Sequence, residues 1–459
     1  PTKLGETLQD LERRGLVQYD GVMRRYDLHP VVRGVAAGGM KDEDKERYGQ
    51  RVVDYFASLP HSPYCQAKTI ADLESGLHVL RTLLKLGHYE KAFEAYHGTL
   101  SQALLFNLEA HSEVLALLRP FFPDGWGTLP REVEASDASY LANSAASALL
   151  LCGEHQKSFD AYGAALKRSL ETEHWSNTRV GLSNISAALT AQNKLAKALR
   201  VDALAQDLAT ASEHAEDIFM SRLFLFADQS RLGQWKEAEE TWWQLDPMGR
   251  KWRRAVYRQG MAEEYFAHFH YRQDKIKEAQ ISATTALAEQ DGNRQTVRTL
   301  HGLRGLWRLE RGEWLLAAIS YTEAVTLARE VRLVDTVSET GLALAKCHLG
   351  HLTGEEAWSE AERLAGLRNP AHRGLALLWQ TLGDLDQAKH HALAAYRWAW
   401  ADGEPYVDRY ELTKTTELLN TLGVPIPNLP PYNPAKDEPF PWEADVRAAI
   451  EKLKAEKAK

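Results

Sequence analysis

A turn residue followed five positions later by a small one recurs along this chain. The pairs are Gly87/Ala92, Gly153/Ser158, Asn193/Ala198, Gly233/Ala238, Asp274/Ala279, Gly312/Ala317, Leu352/Ala357 and Gly383/Ala388. From residue 153 to residue 352 the turns lie 40, 40, 41, 38 and 40 residues apart. A fixed period of that length marks stacked two-helix units, because one amphipathic hairpin cannot bury its apolar face alone. The clearest unit runs from Thr296 to Glu330. Leu300, Leu303, Leu306 and Trp307 precede its Gly312 turn, and Trp314, Ala317, Ala318, Tyr321, Ala324 and Val325 follow at helical spacing. The expected fold is all-α, a right-handed solenoid of helical hairpins.

A solenoid grows by adding units, so 459 residues need not mean several domains. No run of about 18 apolar residues predicts a membrane span, and the first residues, PTKLGETLQDLERRG, lack the apolar core of a signal peptide. The chain begins at Pro1, inside what already reads as a helix, which points to a piece of a longer protein. Cys65, Cys152 and Cys347 lie far apart without metal-ligand spacing, so no bridge is expected and a reducing cytoplasm is the simpler setting. The net charge of −8 argues against general nucleic-acid binding.

The N-terminal stretch has another character. Leu4, Leu8 and Leu11 share a helix face over residues 3–15, and LVQYDGVMRRYDLHP alternates around an Asp20-Gly21 turn. Pro30 can open a second helix carrying Val31, Val32 and Val35. Gly38-Gly39 and the charged run 41–47 close this module, and residues 46–58 predict a further helix. RPFFPDGWGTLP, before Gly153, reads as an ordered loop with Phe121, Phe122 and Trp126 packed down, or as an aromatic tip for a partner. After Leu422 the repeat pattern stops. GVPIPNLPPYNPAKDEPFPW predicts an extended strap, and Trp442, Val446, Ala449, Ile450 and Leu453 predict a final amphipathic helix. The strap either crosses helices or lies in the groove of the array.

LERRGLVQYDGVMRRYDLHPVVRGVA resembles the winged-helix segment of STAND-class signalling NTPases, the NB-ARC-type family. That family carries a Met-His-Asp motif followed by an apolar-apolar-Arg stretch. Here Leu28 stands for the Met, His29 is the histidine, Pro30 replaces the Asp, and Val31-Val32-Arg33 follow. The resemblance implies that His29 contacts the phosphate of bound ADP in the longer protein. It also implies an upstream nucleotide-binding domain, ADP/ATP as its cofactor and oligomerisation on activation. The 459 residues hold no G-x-x-x-x-G-K-[ST] loop of their own. The hairpins with their turn glycines resemble tetratricopeptide repeats of the roughly 40-residue variety found in kinesin light chains and in STAND sensors. The expected layout is a partial winged helix over 1–40, a linking helix and loop over 41–67, the array over 68–423, the strap over 424–442 and a C-terminal helix over 443–459.

No H-E-x-x-H, G-x-S-x-G or C-x-x-C occurs, and His268 and His270, two apart on a helix, point to different sides. No catalytic or metal site is expected. The candidate binding feature is basic. RKWRRAVYR, residues 250–258, has five positive residues and no acid, and Arg294, Arg298, Arg304, Arg308 and Arg311 follow. Arg298, Arg304, Arg308 and Arg311 are expected to share one arc of a helix. Either these arginines pair with Glu263, Glu264, Glu310 or Glu313, or they line a groove for an acidic peptide or protein surface. In that groove Arg258, Arg298, Arg304 and Arg308 would supply charge, and Tyr265, His268, Tyr271 and Trp307 aromatic contact.

The expected function is the ligand-sensing, autoinhibitory arm of a STAND NTPase, non-enzymatic by itself and cytoplasmic, with a protein or peptide trigger. The competing expectations are a constitutive interaction scaffold and a winged-helix transcription regulator. In the last, Arg13, Arg14, Arg24 and Arg25 would contact DNA phosphates.

Overall fold

The computed structural model describes residues 3–21, 25–28, 30–252, 260–290 and 292–458. They divide into two compact units, residues 1–61 with 74–95, and residues 62–73 with 96–459.

The first unit opens with helix α1 (Lys3–Arg13), which ends before Gly15 in the left-handed region at φ +69°. Strands β1 (Val17–Asp20) and β2 (Arg25–Leu28) pair antiparallel, with Val17 opposite Leu28 and Asp20 opposite Arg25. Four residues therefore separate the strands, more than the tight two-residue turn Asp20-Gly21 suggests. Tyr19 and Tyr26 face each other across the pair, ring centroids 4.9 Å apart. Helix α2 (Pro30–Gly38) starts on its proline, and α3 (Asp42–Ser58) follows. The charged run lies inside α3, starting the helix four residues earlier than its apolar pattern shows. Asp42, Glu43 and Asp44 favour the positive end of the helix dipole, while Asp42–Lys45 and Asp44–Arg47 pair one turn apart. Helices α4 (Glu74–Leu86) and α5 (Tyr89–Tyr96) form a hairpin on Gly87. Gly49 of α3 lets Leu86 approach to where a Cβ would stand 2.7 Å from its methyl.

The second unit is an all-α, tetratricopeptide-like solenoid. Short helices α6 (Thr99–Gln102) and α7 (His111–Leu118) flank a π-turn and lead to a loop in which Phe121 and Phe122 are fully buried. Seven hairpins follow. They are α8 (Ala135–Leu151) with α9 (His155–Glu171), α10 (Trp175–Ala191) with α11 (Leu195–Ser212), and α12 (Ala215–Leu232) with α13 (Trp235–Trp252). Then come α14 (Met261–Arg272) with α15 (Glu278–Gln290), and α16 (Arg294–Leu309) with α17 (Trp314–Glu330). The last two are α18 (Thr336–His348) with α19 (Gly354–Ala365), and α20 (His372–Leu382) with α21 (Leu385–Trp400). Helices α22 (Arg409–Thr421) and α23 (Glu443–Lys457) complete the chain.

The turn residues act as the period requires. Gly153, Asn193, Gly233, Asp274, Gly312 and Gly383 all have positive φ, which ends one helix and reverses the chain. Ser158, Ala198, Ala238, Ala317, Ala357 and Ala388 are fully buried, where a larger side chain would force the two helices of a hairpin apart. Two positions depart. At Leu352 the left-handed residues are Gly350 and Gly354. After Asp274 the second helix starts at Glu278, two residues later than elsewhere, so Ala279 is exposed and Ile281 fills the buried place.

The end of the chain returns to its middle. Val446 and Ile450 of α23 join the buried cluster of α9, α10 and α11, beside Phe440 and Trp442. Burying each aliphatic side chain contributes about 1.5–3 kcal/mol. Arg200 of α11 holds Asp437 at 2.7 Å, and Trp400 donates its indole N–H to the Pro430 carbonyl at 2.9 Å. The Pro-rich strap thus crosses helices.

Candidate functional site

Three adjoining cavities of about 690, 380 and 350 Å³ lie inside the second unit, and Arg231 lines all three. The chamber exists because the array closes on itself. Arg368, ahead of α20, donates to the Cys152 and Gly153 carbonyls at 3.2 and 2.5 Å, and Asn193 donates to the Trp398 carbonyl. The Ala196 backbone N–H donates to Asp402 at 2.8 Å. Within the chamber, Arg231 on α12 donates to Asp408 at 2.7 Å, and to the Thr190 carbonyl and Asn193 Oδ1 at 3.3 Å each. Asp408 is also the N-cap of α22, accepting from the Glu411 N–H at 3.2 Å. One carboxylate thus starts a helix and ties it to a helix nearly two hundred residues earlier.

The opposite wall repeats the device. Arg373 on α20 forks onto Glu411 at 2.8 and 3.0 Å and reaches Glu310 at 3.2 Å. The Tyr410 hydroxyl donates to Glu310 at 2.9 Å and stands 2.8 Å from the Tyr271 hydroxyl. Such bidentate, charge-assisted contacts fix direction as well as distance.

Helix α14 places Glu264, His268 and Arg272 on one stripe, four residues apart, facing the chamber. Burial, then Arg272, pushes His268 down to about 3, so its ring is neutral at ordinary pH. Burial raises Glu264 to about 7, although it accepts the Thr296 hydroxyl at 2.8 Å and feels Arg298. Burial likewise raises Asp228 to about 6, against the opposing pull of Arg231. Asp202 is held well above the usual carboxylate range by burial and then by the Asp228 carboxyl.

Glu264 has a measurable consequence. Its folded pKa stands above its unfolded value, so the folded carboxyl stays protonated while the unfolded one ionises. Stability is therefore lost as pH rises from about 4.5 to about 7, and stays lost above. Glu264→Gln keeps the acceptor for Thr296 and removes the titration. The stability gap between variant and wild type should widen by about 2 kcal/mol from pH 5 to pH 8 in urea unfolding. A gap constant with pH would show that Glu264 ionises normally.

The binding residues expected from the sequence are distributed as follows. Tyr265 and His268 line the 350 Å³ cavity, and His268, Tyr271 and Arg298 line the 380 Å³ cavity. His270 turns away to Gln280 at 3.2 Å. Arg298 forks onto Glu109 at 2.9 and 2.7 Å and reaches Asp335 at 3.3 Å. Arg304 and Arg308 line none of the three cavities. Arg304 reaches Ser282 and Thr285 on α15, while Arg308 pairs with Glu278 on α15 and donates to Ser320 on α17 at 2.9 Å. Trp307 carries Arg311 over its ring at 4.3 Å, and Arg311 pairs with Asp274 at 2.9 Å. The expected single arc of arginines is corrected here. Six residues separate Arg298 from Arg304, which turns a helix to about a third of a revolution away. Arg298 therefore faces the chamber, while Arg304 and Arg308 wedge between the outer helices. Their partners are also not the glutamates nearest in sequence.

Arg258, His29 and Arg24 lie outside the described residues. Arg13 and Arg14 both pair with Asp10. Trp126 packs on the α9–α11 cluster and against Phe122, ring centroids 5.1 Å apart. The three cysteines are free, and no residue of the strap lines the chamber. Among the described residues no helix is long and apolar enough to cross a membrane, and no group of three His, Cys, Asp or Glu could hold a metal ion.

No family model and no curated protein matches the chain. Among solved structures it is similar to a Rap protein complexed with competence and sporulation factor. That likeness covers 83% of this chain and 94% of the other, at 11% identity and a TM-score of 0.46, a level that sets no functional constraint.

Proposed function

We propose that this chain is a ligand-sensing arm, and that its chamber takes a peptide or a segment of a protein. The carrying observation is the double use of Arg231. It lines every cavity of the chamber and also holds α22 against α12 through Asp408. A ligand that engages Arg231 must compete with that closure. Its affinity then differs between the closed and loosened arrangements, which is what a sensor requires and a rigid scaffold lacks.

The same proposal makes the chain part of a STAND-class NTPase. In that reading the N-terminal helix–hairpin–helix is the winged-helix module, His29 touches ADP, and the arm restrains an upstream nucleotide switch that oligomerises when released. Exposure supports a covering partner for this module. Val17 is the sole buried apolar residue among those described up to residue 61, while Leu4 and Val35 are 68% and 72% exposed.

The test has two parts. The chain, and an Ala371→Trp variant that fills the 690 Å³ cavity, are incubated with a low-molecular-weight extract of native cells, then washed and denatured. The wild type should release a peptide at least tenfold more abundantly than the variant; equal release would end the chamber reading. In the intact longer protein, that peptide should accelerate ADP release. The relay fails if no P-loop precedes Pro1 or if ADP leaves at an unchanged rate.

A further inference from the structure

The cavity of about 350 Å³ holds a buried carboxyl out of the ordinary. Asp202 on α11 is 1% exposed and lines the 350 Å³ cavity, yet no donor or cation holds either carboxylate oxygen in a well-formed hydrogen bond, and its polar neighbours are only the Ser186 hydroxyl and the Asp228 carboxyl. An unpaired buried carboxyl costs free energy unless something completes it. From the geometry of this pocket we propose that Asp202, with Asp228 beside it, is the subsite for an organic cation, the ammonium or guanidinium head of an elongated ligand. This rests on the chamber being a ligand site.

The groups facing Asp202 leave that role open. Ser186 on α10 donates its hydroxyl to the Ala198 carbonyl at 3.2 Å, and Thr190 donates to Asp228 at 3.1 Å. Arg231 on α12 is committed to Asp408 and to the end of α10, and Arg272 on α14 donates to Ser230 at 3.0 Å. The remaining titratable groups of the cavity are Glu264, Tyr265 and His268 on α14, none of them a cation at neutral pH. Arg231 and Arg272 both act on Asp228 across the cavity, but each guanidinium is bonded elsewhere, to Asp408 and to Ser230, so neither is dedicated to Asp202. Phe224, Ala187 and Ala227 give the same cavity an apolar part of its lining, suited to the methylenes of an alkylammonium or alkylguanidinium stem.

A compact metal ion does not fit, since among the described residues no three His, Cys, Asp or Glu side chains converge on a point. A charged head on an apolar stem does. Before a cation binds, the Asp202–Asp228 pair keeps a proton, because two adjacent buried carboxylates do not both ionise. The arriving cation takes the place of that proton, so binding releases one proton and tightens as pH rises through the range where the pair titrates.

Isothermal titration of the full chain tests this with 1,5-diaminopentane, n-butylguanidinium, an N-terminally acetylated hexapeptide containing one lysine with its ε-amine free, and the same hexapeptide carrying norleucine in place of the lysine. Runs at one pH in two buffers of different ionisation enthalpy count the protons. The cationic probes should bind with proton release, the norleucine peptide at least tenfold more weakly, and Asp202→Asn should lose both tenfold in affinity and the proton release. Asp228→Asn serves as the second variant if Asp202→Asn folds poorly. Tighter binding of the lysine peptide than of the diamine identifies a basic side chain of a peptide as the occupant; the reverse identifies a free polyamine. Unchanged binding by both variants, or no proton release, overturns the subsite. A chamber peptide without a basic group would overturn it too, while leaving the sensing arm intact.

Discussion

Arg231→Ala lowers the stability of the second unit by about 3–5 kcal/mol, the range for removing one partner of a buried ion pair. The side chain is 21% exposed and Asp408 only 6%, so most of the contact lies away from bulk water. The substitution also strips donors from the Thr190 carbonyl and from Asn193, and removes the cation that restrains Asp228. Arg231→Lys should recover less than half. An ammonium is a point charge and cannot span a carboxylate, a carbonyl and an amide lying in three directions. In urea unfolding followed by helical circular dichroism, the double variant Arg231→Ala/Asp408→Ala should cost clearly less than the sum of the single changes. Additive costs would mean that the two side chains do not act as one contact.

Gly341→Val costs about 3 kcal/mol, through sterics alone. Tyr321, 1% exposed, lies with its ring between Gly305 of α16 and Gly341 of α18. A Cβ at Gly341 would stand 2.3 Å from the ring Cζ, and one at Gly305 2.7 Å from Cδ1. Leaving glycine in a helix gains under ~1 kcal/mol in propensity, and overpacking costs about 1–3 kcal/mol or more, so the clash wins. Gly163 of α9, with nothing within 4 Å of its would-be Cβ, provides the control. Gly163→Ala should gain about 0.5–1 kcal/mol. If Gly341→Val proved neutral in the same urea series, the packing of Tyr321 between the two helices would be refuted.

The repeat was legible because its signal is local. A left-handed turn residue and a small residue five positions on are properties of one hairpin, readable without knowing what the hairpin touches. Reading failed where a local insertion shifted the phase, as after Asp274, where Ile281 replaces Ala279. The chamber was only half legible. Glu264, His268 and Arg272 are visible in the sequence as titratable residues at helical spacing, although only Glu264 and His268 were singled out there. Arg231, Arg373, Asp202 and Asp408 are not, because their roles depend on partners from other units, and for Arg231 the partner lies 177 positions away. The arginines of α16 drew attention by their density. Density could not say which face each one takes, and only Arg298 turned inward.

The return of the last helices onto α8–α12 changes how such an array can come apart. A linear stack frays, because a terminal hairpin has a neighbour on one side only. Here the final hairpin is also bonded to the Gly153 and Asn193 turns, and α23 lies on α9 and α11. The stack behaves as a loop with no loose end at its C-terminal side, and shedding one hairpin means breaking two junctions at once. Melting becomes a block event, and a disturbance in the chamber reaches α8–α12 by two routes around the loop.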